Sequence, residues 1–241
     1  MIKKLVNVIE VIGEPYGLRA MRRWKPFSIT SFFMLSALRR KGIQFRTIID
    51  AGANVGQFAR ASSEFYPEAM IYSIEPLPTA ATRFRANLSD RPSVHLFETA
   101  IGSRDGTIQF FPNRDSQASS ALLLNSRSRP AHRCQLAPID VPVCRLDRLL
   151  EGKTLEAPIL FKLDLQGYEL EALRGANAIL SQCEYVVVET VFEDCYEGGP
   201  LFEELNDYLH GFGYRILQPL AFLKGDGQIY QMDALFQKVA L

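Results

Sequence analysis

Short β-branched and aliphatic runs alternate along the chain with stretches whose apolar positions recur every three to four residues. The runs predict core strands at 47–51, 70–75, 93–98, 158–164 and 184–190, and two late strands at 213–218 and 233–239. The helical spacing predicts helices near 55–66, 78–89, 168–181 and 199–210. In the last of these, Leu201, Phe202, Leu205, Tyr208 and Leu209 make one stripe of a helical period. Such alternation predicts a parallel sheet flanked by helices. Residues 107–111 and 139–144 read as short extra strands suited to pairing with each other.

Residues 1–45 stand apart as a helical segment. The first stretch places Leu5, Val8, Ile9 and Ile12 on one stripe, and Glu10 interrupts its apolar run, so it reads as an amphipathic helix and not a signal peptide. A further helix, capped by Thr30 or Ser31, is expected to run through Arg40 and stop at Gly42. The expected organisation is a cap or lid over 1–45 and a sheet domain over 46–241.

The densest chemistry lies at 48–56, Ile-Ile-Asp-Ala-Gly-Ala-Asn-Val-Gly. A strand ends in Asp50, Gly52 and Gly56 follow with Asn54 between them, and a helix begins. Strand, tight turn and helix start bring a ligand's polar groups against backbone N–H groups. Gly52 permits the turn and Gly56 a close approach. The G-x-x-x-G spacing differs from the G-x-G-x-x-G that cradles a pyrophosphate, and Asp50 would repel one. A ligand with a cationic end fits better, such as the amino-acid part of S-adenosylmethionine. Glu75, closing the next strand, stands where a nucleoside-binding sheet keeps its ribose-hydroxyl acceptor. Ala100 and Ile101, after the third strand, leave room for a flat ring. Lys162 and Asp164 leave the fourth strand on the same face, and Glu189 ends the fifth.

DAGANVG (50–56), SIEP (73–76), AIGSRDGTIQFF (100–111) and FKLDLQGYELEALRGA (161–176) resemble the FkbM-type methyltransferases in order and spacing. The resemblance covers about residues 46 to 218. It implies a class I methyltransferase fold, Rossmann-like with a mostly parallel seven-stranded sheet, using S-adenosylmethionine. It also implies O-methylation of a hydroxyl on a sugar, glycan or similar natural product. The family pattern near the last motif is commonly K-x-D-x-E-G, and here Gln166 stands in place of that Glu. A negative charge at that point is therefore lost, while hydrogen-bonding capacity is kept.

Methyl transfer to a hydroxyl calls for orientation and for removal of a proton. Asp164, Lys162 and Glu189 are the candidate catalytic residues, with Asp164 and Glu189 the ligands if Mg²⁺ is used. Asp50, Gly52, Asn54, Gly56, Glu75, Ala100 and Ile101 are the candidate cofactor-binding set. The stretch 112–138 is long for a connection and rich in Ser and Arg. It reads as a loop closing over the acceptor through Ser119, Ser120, Arg127 and Arg129, and the arginines suit a phosphorylated or lipid-linked acceptor. His132, in the same loop, is a further candidate proton acceptor.

Composition narrows this picture. The chain has 241 residues, 47% of them hydrophobic and 22% charged, proportions ordinary for a folded globular protein. No apolar run approaches the roughly 20 residues that cross a bilayer. The cysteines show no C-x-x-C spacing and the histidines are scattered, so no zinc site is indicated and reduced thiols in the cytoplasm are expected. Net charge is zero, but residues 1–46 carry ten Lys or Arg against two acids. That basic segment is expected to dock on an acidic body, and a broad nucleic-acid face is not expected. The oligomeric state is open, with a homo-oligomer admitted. Two other functions fit the sheet: a nicotinamide-dependent oxidoreductase, against which the glycine spacing and Asn54 argue, and a binding module without turnover, which Gln166 invites.

Overall fold

Five β-strands run through the centre of the molecule with their carboxyl ends meeting one crevice. The computed structural model describes residues 2–125, 134–193 and 195–239, with side chains from Val8 onward. The strands are β1 (Thr47–Ala51), β2 (Met70–Ile74), β3 (Val94–Phe97), β4 (Ala100–Ile101), β5 (Gly106–Phe110), β6 (Ile139–Cys144), β7 (Ile159–Leu163), β8 (Tyr185–Val191), β9 (Tyr214–Gly225) and β10 (Gln228–Lys238). The helices are α1 (Ile2–Gly13), α2 (Gly17–Arg23), α3 (Ile29–Arg40), α4 (Gln57–Phe65), α5 (Pro78–Leu88), α6 (Leu146–Leu149), α7 (Glu169–Arg174), α8 (Asn177–Gln182) and α9 (Phe202–Gly211).

The seven-stranded sheet has the order β3-β2-β1-β7-β8-β10-β9. Its first five strands are parallel, and β10 is antiparallel to both β8 and β9. This bears out the predicted α/β class. A second, three-stranded sheet has the order β4-β6-β5; β5 and β6 pair as expected, and do so antiparallel. Every residue of β1 and β7 is buried, as strands covered by helices on both faces must be. The alternation sorts them. Ile49, Phe161 and Val188 face α7, α8 and α9, while Ile48, Leu160 and Val187 face α3 and α4.

The chain doubles back between β1, which leads on to β2 and β3, and β7, which leads to β8. In open sheets the ligand crevice lies outside such a reversal, at the carboxyl ends of the strands. The register aligns Asp50 with Lys162 and Glu189 with Asp233, so groups far apart in sequence converge there.

Some local expectations change. The cap of α3 is Ser28, whose side chain accepts from the Ser31 N–H at 3.2 Å, with Thr30 and Ser31 inside the helix. Among the α1 residues whose side chains are described, Val11 is buried, and Ile9 and Ile12 of the expected apolar stripe face solvent. The single helix expected over 168–181 is two. It breaks at Gly175, where a Cβ would stand 2.0 Å from the Gly102 carbonyl oxygen. The two late strands are much longer than expected and form a hairpin through Asp226 (φ 50°) and Gly227 (φ 79°), the positive dihedrals that an Asp-Gly turn supplies.

Candidate active site

A cavity of about 360 Å³ opens at the chain reversal. Its near side is the turn after β1. Gly52 adopts φ 79°, and a Cβ there would stand 1.9 Å from the Asp164 carbonyl oxygen, so only glycine lets the β1 and β7 ends approach this closely. Gly52 and Ala53 donate their N–H groups to the Ile74 carbonyl at 3.0 Å, which ties the turn to β2. Gln57 and Phe58, opening α4, also line the cavity.

Glu75 is nearly fully buried and faces the cavity. Its Oε2 accepts from the Asn54 N–H at 2.8 Å and its Oε1 from the Leu77 N–H at 2.9 Å. Those bonds fix the carboxylate plane, and each oxygen keeps a further lone pair. Burial, only partly opposed by the two N–H donors, pushes its pKa up to about 7. Thr99, Ala100, Ile101 and Phe110 line the same end.

Two members of the expected cofactor set lie elsewhere. Asp50 is fully buried and is not part of the cavity wall. Its Oδ1 lies 3.2 Å from Lys162 Nζ, so it is the counter-ion beneath the floor. Gly56 also misses the wall. Its bare Cα accommodates Leu88 and Phe84 of α5, whose side chains would crowd a Cβ at 2.7 and 3.0 Å. The bare Cα thus serves helix packing.

The far side is a polar floor. Lys162, with 6% of its side chain exposed, lies 3.6 Å from Asp164 Oδ2 as well as near Asp50. Its Nζ donates to the Gly52 carbonyl at 3.3 Å. Burial would draw the ammonium's proton off, but the two aspartates more than offset this and keep it charged. Gln166 Nε2 donates to Asp164 Oδ1 at 2.8 Å and to Glu189 Oε2 at 2.5 Å, and its Oε1 accepts from the Tyr196 hydroxyl at 2.9 Å. The tyrosine bond orients the amide. Gln231 donates to the other Glu189 oxygen. Burial first, then the charges of Asp164, Asp233 and Glu169, raises the Glu189 pKa well above the carboxylate range. Asp233, facing Glu189 across the β8–β10 pair, rises to about 7 through burial and the nearby Asp164.

The turn carrying Asp164 is braced from below. Glu169 accepts from the Leu165 N–H at 2.7 Å and the Gly167 N–H at 3.0 Å, so this first-turn acid does more than complement a helix dipole. Ser120 donates to the Gln166 carbonyl at 2.7 Å and does not reach the cavity, whereas Ser119 and Ser116 line it. Ser116 donates to the Asn54 side chain at 3.0 Å. Arg127, Arg129 and His132 lie outside the described residues.

Sequence reasoning did not assign to the site Gln231, Asp233, Tyr168, Tyr196, the α3 cap Ser28 or the α3 residues Thr30, Ser31 and Met34, all but Tyr196 on the cavity wall. A signal existed for the first two, which sit two residues apart in one strand and therefore share a face. As for a metal, no three His, Cys, Asp or Glu side chains among the described residues are placed to hold one. The Gln166 amide stands between Asp164 and Glu189, where a cation bridging them would need to sit.

A model of the methyltransferase FkbM domain matches residues 50–216. The chain belongs to this family. It is 32% identical over 173 residues to the 2-O-methyltransferase NoeI of Sinorhizobium fredii, covering 68% of this chain and 71% of that one. It is 26% identical over 141 residues to the hexuronic acid methyltransferase AglP of Haloferax volcanii, covering 58% and 54%. Among solved structures, the magnesium protoporphyrin IX methyltransferase of Synechocystis with bound S-adenosylmethionine superposes with a TM-score of 0.51 at 10% identity, over 87% of this chain and 78% of that one. That likeness shows a class I methyltransferase fold. The enzyme is an S-adenosylmethionine-dependent methyltransferase, so the oxidoreductase and binding-module alternatives fall.

Proposed function

We propose that the enzyme O-methylates a hydroxyl of a sugar, glycan or glycosylated metabolite in the cytoplasm. The observation that carries this reading is the floor of Asp164, Gln166, Glu189 and Asp233 at the chain reversal. Carboxylates and amides there meet the hydrogen-bonding pattern of a polyol, whose hydroxyls donate to carboxylates. NoeI, a 2-O-methyltransferase, supports transfer to oxygen, and AglP, a hexuronic acid methyltransferase, supports a sugar acceptor.

When bound, S-adenosylmethionine supplies an electrophilic methyl group on a sulfonium. The residues present fit it. Glu75, held rigid by two N–H donors, would accept from a ribose diol. Thr99, Ala100, Ile101 and Phe110 would leave a slot for a flat ring. The Gly52–Asn54 turn and the start of α4 would hold the amino-acid end. Lys162 offsets one of the two negative charges of Asp50 and Asp164.

On the acceptor side, Asp164 orients the hydroxyl, with 36% of its side chain open. Glu189 is the base that would accept the proton of that hydroxyl. A carboxylate with raised proton affinity is the stronger base for a weakly acidic hydroxyl. Gln166 fixes the distance between the two carboxylates. The floor does not fit a bridging Mg²⁺, and no step is assigned to one. Residues 1–45 act as a cap, since α3 contributes Ser28, Thr30 and Met34 to the wall. Ser116 and Ser119 line the cavity on the acceptor side, and the arginines of the same stretch of sequence, Arg127 and Arg129, suit a phosphorylated or lipid-linked acceptor.

The test is incubation with methyl-labelled S-adenosylmethionine and a panel of glycosides, followed by mapping of the methylated atom. Label on a sugar oxygen supports the proposal. Label only on nitrogen or carbon of another acceptor class contradicts it.

A further inference from the structure

The surface formed by the end of α1, the following turn and α2 has no part in the catalytic reading. Ile9 is 60% exposed and Tyr16 is 69% exposed, with Ile12 and Leu18 also open to solvent. The same stretch carries Arg19, Arg22, Arg23 and Lys25, all exposed. The expectation that this basic segment docks on an acidic body fails at these four positions. Among the described residues, none of their side chains has an acidic partner. The ion pairs of the segment are those of Arg40 with Glu14 and Arg46 with Glu156.

Exposed aliphatic and aromatic groups beside unpaired cations have a particular chemistry. Nucleic acid would use the cations and leave the apolar groups wet. A bilayer surface with anionic headgroups uses both, because side chains such as Ile, Leu and Tyr enter the headgroup boundary while arginines meet lipid phosphates. No helix among the described residues is long and apolar enough to cross a membrane, so the geometry is that of lying on a surface. The patch also runs directly into the cavity rim. Three residues beyond Lys25 the chain reaches Ser28, and then Thr30, on the cavity wall. Phe222, 44% exposed on the hairpin, stands on the same wall.

We infer that residues 9–25 dock the enzyme on an anionic lipid bilayer and hold the cavity mouth at the headgroup layer. The surface does not depend on which acceptor the site takes.

Vesicle flotation tests this with the full chain, using vesicles of phosphatidylcholine alone and of equal parts phosphatidylcholine and phosphatidylglycerol. The expected result is flotation with the anionic vesicles only, weakened by added salt. Ile9→Glu with Ile12→Glu, and separately Arg19→Glu with Arg22→Glu and Arg23→Glu, are each expected to lower the bound fraction by at least about tenfold. Both variants are expected to keep the wild-type affinity for S-adenosylhomocysteine, a check that they fold. The wild-type contrast between vesicle types and salts stands even if a variant does not fold. No flotation, equal flotation with neutral vesicles, or a preference for a duplex oligonucleotide over anionic vesicles would overturn the inference. So would a patch consumed by self-association in light scattering.

Discussion

Gln166 donates from Nε2 to Glu189 Oε2 at 2.5 Å while the same nitrogen holds Asp164 at 2.8 Å. A glutamate at this position has no hydrogen to give either partner. Gln166→Glu therefore turns two stabilising contacts into repulsions within a buried cluster. Turnover is expected to fall about 10- to 100-fold, the range that corresponds to losing about 1–3 kcal/mol at a buried polar contact. Affinity for S-adenosylhomocysteine should change little, because Glu75 and the Gly52 turn are untouched. Steady-state kinetics with parallel calorimetry separates the two effects.

Glu189 sets a pH dependence. Its proton affinity lies well above the ordinary carboxylate range, so the ionised base becomes more abundant as pH rises. The rate with saturating acceptor is expected to climb with pH from the acid side through neutrality. Glu189→Gln should remove that climb and lower the rate about 10²- to 10⁴-fold, the usual worth of a general base. A pH–rate profile of both proteins checks it.

The glycine turn is a steric prediction. Gly52→Ala forces a Cβ into the Asp164 carbonyl at φ 79°. Both the strain and the clash oppose it, and a loss of about 2–4 kcal/mol in stability is expected, together with loss of cofactor binding. Thermal denaturation with and without S-adenosylhomocysteine would show a lowered midpoint and no ligand shift.

Stability should also depend on pH in an unusual sense. Glu75, Glu169 and Asp233 each rise to about 7 in the folded protein, mainly through burial, against ordinary values near 4 when unfolded. Between about pH 4 and pH 7 the folded state holds protons that the unfolded state has released. Stability then falls as pH rises through this window, and is flat above it. The cofactor-free midpoint is therefore expected to be higher near pH 5.5 than near pH 8. A midpoint that rises steadily over that range would contradict the burial of these groups.

Much of the sheet was legible in sequence because β1, β2, β7 and β8 are short, largely apolar runs that are mostly buried, and such runs have few alternatives. The β9–β10 hairpin was underestimated. Its exposed residues, such as Ile216, Leu217 and Phe222, blur the period-two pattern, and the turn signal of Asp226-Gly227 went unused. In the site, Glu75 reached the cavity as its position after β2 implied. Asp50 did not, because strand register pairs it with Lys162, and register is a tertiary property that a single run of residues does not encode. The same holds for Asp233, which meets Glu189 only through an antiparallel pairing 44 residues away in sequence.

The division of labour between the two ends of the cavity is tested most directly by calorimetric titration of S-adenosylhomocysteine into the wild type, Glu75→Ala and Glu189→Gln. Wild type and Glu189→Gln should bind within about twofold of each other, and Glu75→Ala about 10- to 100-fold more weakly. Equal binding by wild type and Glu75→Ala, or no binding by folded wild type, would contradict the placement of the cofactor at the tip of β2.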